Sequence, residues 1–373
     1  MKACILVGGY GTRLRPLTFT KPKPLIPFCN VPMVLHQIVA LIGAGVTEII
    51  FLISDNSKML RKECEVWKKT YNVQFSFCHE EEPLGTAGPL RLALKKGLLD
   101  AHSRDPFFVL NSDIICEYPL RDLLAAHHQS QGEGTILLTK VSNWSKYGVV
   151  KYDDNTGRVF DFIEKPQHFV GDRINAGIYV FDPIILTRIP DGKCSLEHTI
   201  FPHVAAAEGL YCMEHAGIWK DIGQPIDFLH AVPLFIAFLG RTNGGTTQLE
   251  FPLATASSAK CTLIGENIID PSASIHPEAV IGPNVTIASD CVIGKGARID
   301  HSVVLSGSNV HDFACVTGCI VGWNCSIGRW AHCMNGCVLG EDVHVGESRV
   351  VNGVRALPHK TIDRSIFEPE IIM

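Results

Sequence analysis

The chain is 373 residues long, 46% hydrophobic and 19% charged, with a net charge of −5. This length predicts two or more domains with ample apolar surface for a core, and the mildly negative balance argues against a nucleic-acid partner. The run 232–239 falls far short of the roughly 18 apolar residues a membrane span needs. The run at 3–7 is broken by Gly8 and Gly9 before it could read as a signal peptide. A soluble, cytoplasmic protein with no membrane partner is therefore expected. Fourteen cysteines in no framework of short spacings predict reduced thiols. Cys315, Cys319 and Cys325 lack paired CxxC arms and read as small buried hydrophobes rather than a metal site.

In chain order, 3–7 (ACILV) predicts a buried strand and 33–43 a helix, followed by glycines at 43 and 45. Buried strands are predicted again at 48–53 (EIIFLI) and 106–110 (PFFVL), the latter running into Asn111, Ser112 and Asp113. Continuous apolar strands alternating with helices imply a Rossmann-like α/β domain whose mostly parallel sheet is covered on both faces. Ligands of such sheets bind beyond the carboxyl ends of the strands. Both the glycines at 8–11 and the 111–113 turn lie there. The domain is expected over 1–240. The segment 241–258, rich in Gly, Thr and Ser, reads as a linker.

From Leu263 onward every sixth residue is aliphatic: Ile269, Ile275, Ile281, Ile287, Ile293, Ile299 and Leu305. The pattern slips between 305 and 321, then resumes at Val321, Ile327, Cys333, Leu339, Val345 and Val351. A period of six suits no helix, whose face recurs at about 3.6. It suits a left-handed parallel β-helix over 259–373, each hexapeptide forming one side of a coil. The slip reads as a loop or a corner out of register. Flat faces and open ends on such a solenoid favour a homo-oligomer.

The opening loop, Gly8-Gly9-Tyr10-Gly11-Thr12-Arg13, is not a P-loop, because no GK[ST] follows, and it lacks the third glycine of a dinucleotide fingerprint. Its physics still points to phosphate. Glycines let backbone N–H groups approach an anion, and Arg13 adds a planar fork of donors. A tight strand-to-helix turn with a surface arginine is the plainer alternative.

LVGGYGTRLRPLT followed by KPKPLIPF resembles the N-terminal signature of the sugar-1-phosphate nucleotidyltransferases, or nucleotide-sugar pyrophosphorylases. The match continues through EEEPLGTAG at 80–88, NSD at 111–113, SKYGVV at 145–150, EKP at 164–166, NAG at 175–177 and WKDIG at 219–223. With the hexapeptide tail and the ending EPEIIM, the chain is similar over nearly its whole length to the β-type mannose-1-phosphate guanylyltransferases of this family. The resemblance implies GTP and mannose 1-phosphate as substrates, GDP-mannose and pyrophosphate as products, and Mg²⁺ as cofactor. A phosphate oxygen of the sugar phosphate attacks the α-phosphorus in line, so the protein must join two polyanions and stabilise spreading charge.

Carried residue by residue, the resemblance makes Arg13, Lys23 and Lys165 the catalytic cations. Arg13 holds the leaving phosphates, Lys23 neutralises charge near the reaction centre, and Lys165 grips the sugar phosphate. Lys21 is a general attractive charge. Asp113 and Asp221 ligate the metal, as two carboxylates suit Mg²⁺. Leu6, Val7, Gly9, Gly11, Thr12, Gly85 and Asn111 line the nucleotide. Glu80, with Glu81 as the alternative, accepts from guanine N1–H and its 2-amino group. Gly148, Glu164, Asn175 and Gly177 face the sugar. Pro27 stands where an acidic residue is expected in the animal β-type enzymes, which bears on fine selectivity. The family also contains regulatory paralogues, which makes such a subunit a partner. Other readings are a catalytically dead GDP-mannose sensor of that kind, or an enzyme for another pair, such as glucose 1-phosphate with UTP or dTTP. Acyl transfer by His276, His301 or His311 is the weakest, since these lie where the repeat faces solvent.

Overall fold

The computed structural model describes residues 1–9, 11–54, 58–242, 249, 251, 253–254 and 261–373. By contact density the chain divides into two compact units: Met1–Gly9 with Gln37–Trp219, and Tyr10–His36 with Lys220–Met373.

The first unit is built on one mixed sheet. Its strands are β1 (Lys2–Val7), β2 (Glu48–Ile53), β3 (Gln74–His79), β4 (Phe107–Asn111), β5 (Gly134–Lys140), β6 (Gly148–Tyr152), β7 (Val159–Glu164), β8 (Arg173–Phe181) and β9 (Leu210–His215). Among the described residues the order is β7-β6-β8-β4-β1-β2-β3, with β5 pairing both β8 and β9. Strands β4, β1, β2 and β3 run parallel. Their residues are buried in continuous runs, as at Ile49 to Ile53 and Phe107 to Leu110, because both faces of a parallel sheet are covered. Strand β8 is antiparallel to β4 and β5, and its register breaks between Asn175 and Tyr179. The helix predicted at 33–43 is α1 (Met33–Gly43).

In the second unit the repeat forms three stacks of short parallel strands among the described residues, as in a left-handed β-helix. Ile281, Ile287, Ile293 and Ile299 are buried in one core, while Leu263, Ile269 and Ile275 at its start are only partly covered. Of the two expectations at the slip, the loop is absent and the corner out of register is found. Ile287 pairs with Val304 and Val304 with Val321 in unbroken parallel register. Val304, not Leu305, takes the inward position, and Val310, Val316 and Val321 follow it into the core. The sequence shifts phase because one face of the coil is a residue shorter at Val304 and again at Val321, so a strict count of six drifts off the inward position. Leu305 is buried beside this core. Cys319, Cys325, Cys333 and Cys337 serve as small core residues, and all fourteen cysteines are free thiols. Of the segment read as a linker, 243–248, 250, 252 and 255–258 lie outside the described residues. Leu253–Ala254 pairs antiparallel with Asn267–Ile269.

The second unit also holds the segment 11–36 and α2 (Pro225–Thr242), which runs to two residues past the expected domain end at 240. Phe28 packs edge-to-face on Phe228 and Phe235. His36 sits between Phe235 and Phe251, its Nε2 3.0 Å from the Phe28 carbonyl. No helix among the described residues is long and apolar enough to cross a membrane.

Candidate active site

At the carboxyl end of β1, Leu6 and Val7 are half-buried and Gly8 and Gly9 are exposed. The Gly9 N–H donates to Ser54 Oγ at 3.1 Å, so this amide has a protein acceptor already. Gly8 faces Glu80: a Cβ there would stand 3.4 Å from Glu80 Oε1. Glu80 is 4% exposed and its Oε2 accepts from the Leu84 N–H at 2.9 Å, whereas Glu81 and Glu82 are exposed. A buried carboxylate beside the strand end fits base recognition far better than a solvated loop charge does. That favours Glu80 over Glu81. Gly85, at φ +79, owes its identity to a different neighbour: a Cβ would lie 2.5 Å from the Cys194 carbonyl oxygen. That carbonyl accepts from the Ala87 and Gly88 amides, and Thr86 and Ser195 both donate to Glu197. The 85–88 turn is thus tied to the 194–197 segment.

Asn111 ends β4, and Ser112 and Asp113 turn the chain, with the Ser112 N–H donating to the Leu6 carbonyl at 3.2 Å. Gln37 closes this turn from α1. Its Nε2 donates to the carbonyls of Asn111 at 2.8 Å and Ile114 at 3.1 Å, one on each side of Asp113. Gln37 and the adjacent His36 are the two polar side chains of an otherwise apolar helix.

The register break in β8 is the NAG motif. Asn175 Oδ1 accepts from the Gly177 N–H at 3.0 Å, and Asn175 Nδ2 donates to Tyr179 Oη at 2.8 Å. Burial pushes the Tyr179 phenol well up, so it stays protonated. Gly177 has φ +74, and a Cβ would meet Asn111 Nδ2 at 2.7 Å. Trp219, a residue of WKDIG, donates from Nε1 to the Ala176 carbonyl at 2.9 Å and packs edge-to-face on Tyr147. Bulges of this kind re-aim side chains at sites. The structure therefore joins NSD, NAG and Trp219 in one network, and Asn175 first of all holds the bulge.

Glu164 pairs with Gly148 across β7 and β6. A Cβ at 148 would fall 2.7 Å from Glu164 Oε2 and 2.5 Å from the Phe162 ring. Lys165 follows at φ +46, its N–H donating to the Tyr147 carbonyl and its Nζ 3.2 Å from Glu164 Oε1. The Lys165 side chain is 63% exposed while the Glu164 side chain is 13% exposed. A lysine before proline in the left-handed region is costly, and such outliers cluster at functional positions.

The second unit carries the other predicted residues. Gly11, at φ +60, precedes a short 3₁₀ turn, Thr12–Leu14, on which Thr12 and Arg13 are exposed. A Cβ at 11 would touch the Lys23 Cβ at 3.2 Å and Thr18 at 3.0 Å, so Gly11 lets the Arg13 turn and Lys23 pack closely. Tyr10 lies outside the described residues. Asp221 accepts from the Gly223 N–H at 2.8 Å. Lys21, read from sequence as a general attractive charge, has its Nζ 4.4 Å from the Trp323 ring centroid. Among the described residues no group of three or more His, Cys, Asp or Glu side chains is placed to hold a metal. A metal held by one or two carboxylates and substrate oxygens needs no such cage, and hard oxygen donors of that kind fit Mg²⁺.

A sequence model of the nucleotidyl transferase family matches residues 2–236, and one described as the GMPPB C-terminal domain matches 263–372. The chain is 49% identical over 373 residues to a Dictyostelium discoideum protein named mannose-1-phosphate guanylyltransferase catalytic subunit beta. It is 47% identical over 373 residues to a Danio rerio protein of the same name. A Pichia angusta mannose-1-phosphate guanyltransferase is 48% identical over 374 residues. In each case the whole of both chains is covered. The fold is also similar to a crystal structure of a Bacillus anthracis protein described as a glucose-1-phosphate thymidylyltransferase, in complex with sucrose. There the TM-score is 0.56 at 22% identity, over 67% of this chain and 97% of that one.

Proposed function

This chain belongs to the nucleotidyl transferase family, and from that premise we propose that it makes GDP-mannose and pyrophosphate from GTP and mannose 1-phosphate. The observation that carries the reading is full-length identity of 47–49% to relatives named for that reaction, with every motif of the sugar-phosphate side present. The sugar-phosphate oxygen attacks the α-phosphorus, a P–O bond forms, and the bond to the β-phosphate breaks to release pyrophosphate. Lys165 grips the sugar phosphate, and Glu164 and Asn175 take sugar hydroxyls beside Gly148 and Gly177. Arg13 holds the departing β- and γ-phosphates, and Lys23 offsets charge at the reaction centre. Glu80 accepts from the guanine edge, with Leu6, Val7, Gly9, Gly11, Thr12, Gly85 and Asn111 around the nucleotide.

Nucleotidyl transferases of this family generally use a divalent metal. Mg²⁺, held by Asp113 and Asp221, supplies charge neutralisation and polarisation at the α-phosphate when bound. Our reading places the enzyme in the cytoplasm and assembles it through the β-helix, where Trp330 and Phe367 are exposed, with a regulatory paralogue as a further subunit.

The test is pyrophosphate release with Mg²⁺ over a panel of GTP, UTP, dTTP and ATP against mannose 1-phosphate and glucose 1-phosphate. GTP with mannose 1-phosphate should exceed every other pair. No release from any pair would leave a sensor, and a preference for UTP or dTTP would reassign the substrate.

A further inference from the structure

The segment 11–36 carries Arg13 and Lys23 but has little regular structure of its own. It holds short 3₁₀ turns and a two-strand ribbon of Pro27–Phe28 with Val31–Pro32. Such a segment takes its shape from what it packs on. Two of its side chains reach the β-helix. The ribbon turns through Cys29 at φ 50 and Asn30 at φ 67, the pair of positive φ values of a two-residue type I′ hairpin. At that tip Asn30 Nδ2 donates to the Ile287 carbonyl at 2.8 Å. The amide orientation is set by this acceptor, because Asn30 Oδ1 is buried with no partner among the described residues.

Nine residues earlier in the chain, the Lys21 ammonium stands over Trp323. Trp323 is 2% exposed and its Nε1 is likewise buried without a partner among the described residues. An orphaned indole N–H is a penalty that phenylalanine would avoid. What tryptophan offers in return is the best aromatic face for a cation. Ile287, Val304 and Val321 stack on one sheet of the β-helix, and Trp323 follows Val321 by two residues. The two contacts therefore lie two coils apart and bracket Lys23 in the sequence. Gly11 couples Lys23 in turn to the Arg13 turn.

We propose that this part of the β-helix positions the phosphate loop, with Asn30–Ile287 and Lys21–Trp323 as the two contacts that hold Arg13 and Lys23 in place. Asn30, Lys21 and Trp323 are positioning residues. The inference rests on the assignment of Arg13 and Lys23 to the triphosphate.

The experiment uses the full-length chain with Lys21→Met, Lys21→Arg, Trp323→Leu, Asn30→Gly and the Lys21→Met/Trp323→Leu pair. Lys21→Met keeps the aliphatic stem, and Asn30→Gly keeps the turn. Two readouts are taken: steady-state kinetics, and hydrogen exchange at the amides of Leu14, Arg15, Leu25 and Ile26, whose acceptors all lie inside the loop. Lys21→Met and Trp323→Leu should each speed exchange and lower kcat by about 3- to 10-fold, the worth of one cation–π contact. KM for mannose 1-phosphate should not move. Asn30→Gly should act in the same direction, Lys21→Arg should restore both readouts, and the double variant should be no worse than the worse single. Unchanged exchange and kcat in Lys21→Met, a Lys21→Arg as impaired as Lys21→Met, or losses that multiply in the double variant would each overturn the proposal. Should Trp323→Leu fail to fold, the lysine variants still decide. If the wild type released no pyrophosphate, the activity reading would fall while the exchange arm still tested the contacts.

Discussion

At the residue scale, Lys165 concentrates the conflict between stability and use. A left-handed conformation costs a lysine about 1 kcal/mol or more, and glycine relieves it. Lys165→Gly should therefore raise the melting temperature slightly, by roughly 1–3 °C for a chain of this size, while lowering turnover by about 100-fold or more. Calorimetry and pyrophosphate release on the same sample check both. A variant that loses stability as well as activity would mean that the ion pair with Glu164, 3.2 Å away, outweighs the backbone penalty. The two carboxylates assigned to the metal make the complementary case. Asp113→Asn and Asp221→Asn keep size and hydrogen bonding but remove the charge, so each should cut kcat by about 100-fold or more with the melt unchanged. Near-normal rates in both would remove them from the metal site.

At the element scale, the decisive feature is the bulge in β8. A regular strand would alternate side chains between faces through 175–179. The register break instead sets Asn175 and Tyr179 in hydrogen-bonding reach and brings Gly177 against Asn111. Gly177→Ala meets both a positive φ and a 2.7 Å contact with Asn111 Nδ2. It should cost roughly 2 kcal/mol, seen as a melting temperature several degrees lower, together with a rise in KM for mannose 1-phosphate. A variant indistinguishable from wild type in both would show that β8 and Asn111 can separate freely. The β-helix works differently: each coil leans only on its neighbours, so its one-residue shortenings at Val304 and Val321 are absorbed without breaking the core.

At the scale of the whole molecule, a buried histidine links folding to pH. Burial among Phe28, Phe235 and Phe251 pulls the His36 pKa down to about 4, against the opposing pull of the Phe28 and Val31 carbonyls. The unfolded chain, titrating near 6.5, binds a proton that the folded chain refuses. Stability is therefore full above about pH 6.5 and declines as the pH falls toward 4. His127, pulled to about 4 chiefly by burial, adds in the same sense. Urea midpoints should correspond to about 3–4 kcal/mol less stability at pH 5 than at pH 7 with both histidines acting, and His36→Gln should roughly halve that slope. An identical slope in the variant would acquit His36.

The sequence by itself determined the buried strands at 3–7, 48–53 and 106–110, the helix at 33–43, the hexapeptide repeat and the family. Those signals are local: an apolar run, a period of six, glycines next to an arginine, seven motifs in order. Tertiary structure alone decided which of these groups touch. Gln37 bridging the Asp113 turn, Trp219 pinning the NAG bulge, Glu80 rather than Glu81 buried beside Gly8, and Lys21 seated on Trp323 all join residues 43 to 302 positions apart or separate adjacent ones by burial. No periodicity encodes such pairings, because they depend on where the backbone returns after a crossover or a coil. The one-residue shortening that moved the inward position from Leu305 to Val304 is of the same kind: both residues are aliphatic, and only the register between coils separates the inward side chain from its neighbour.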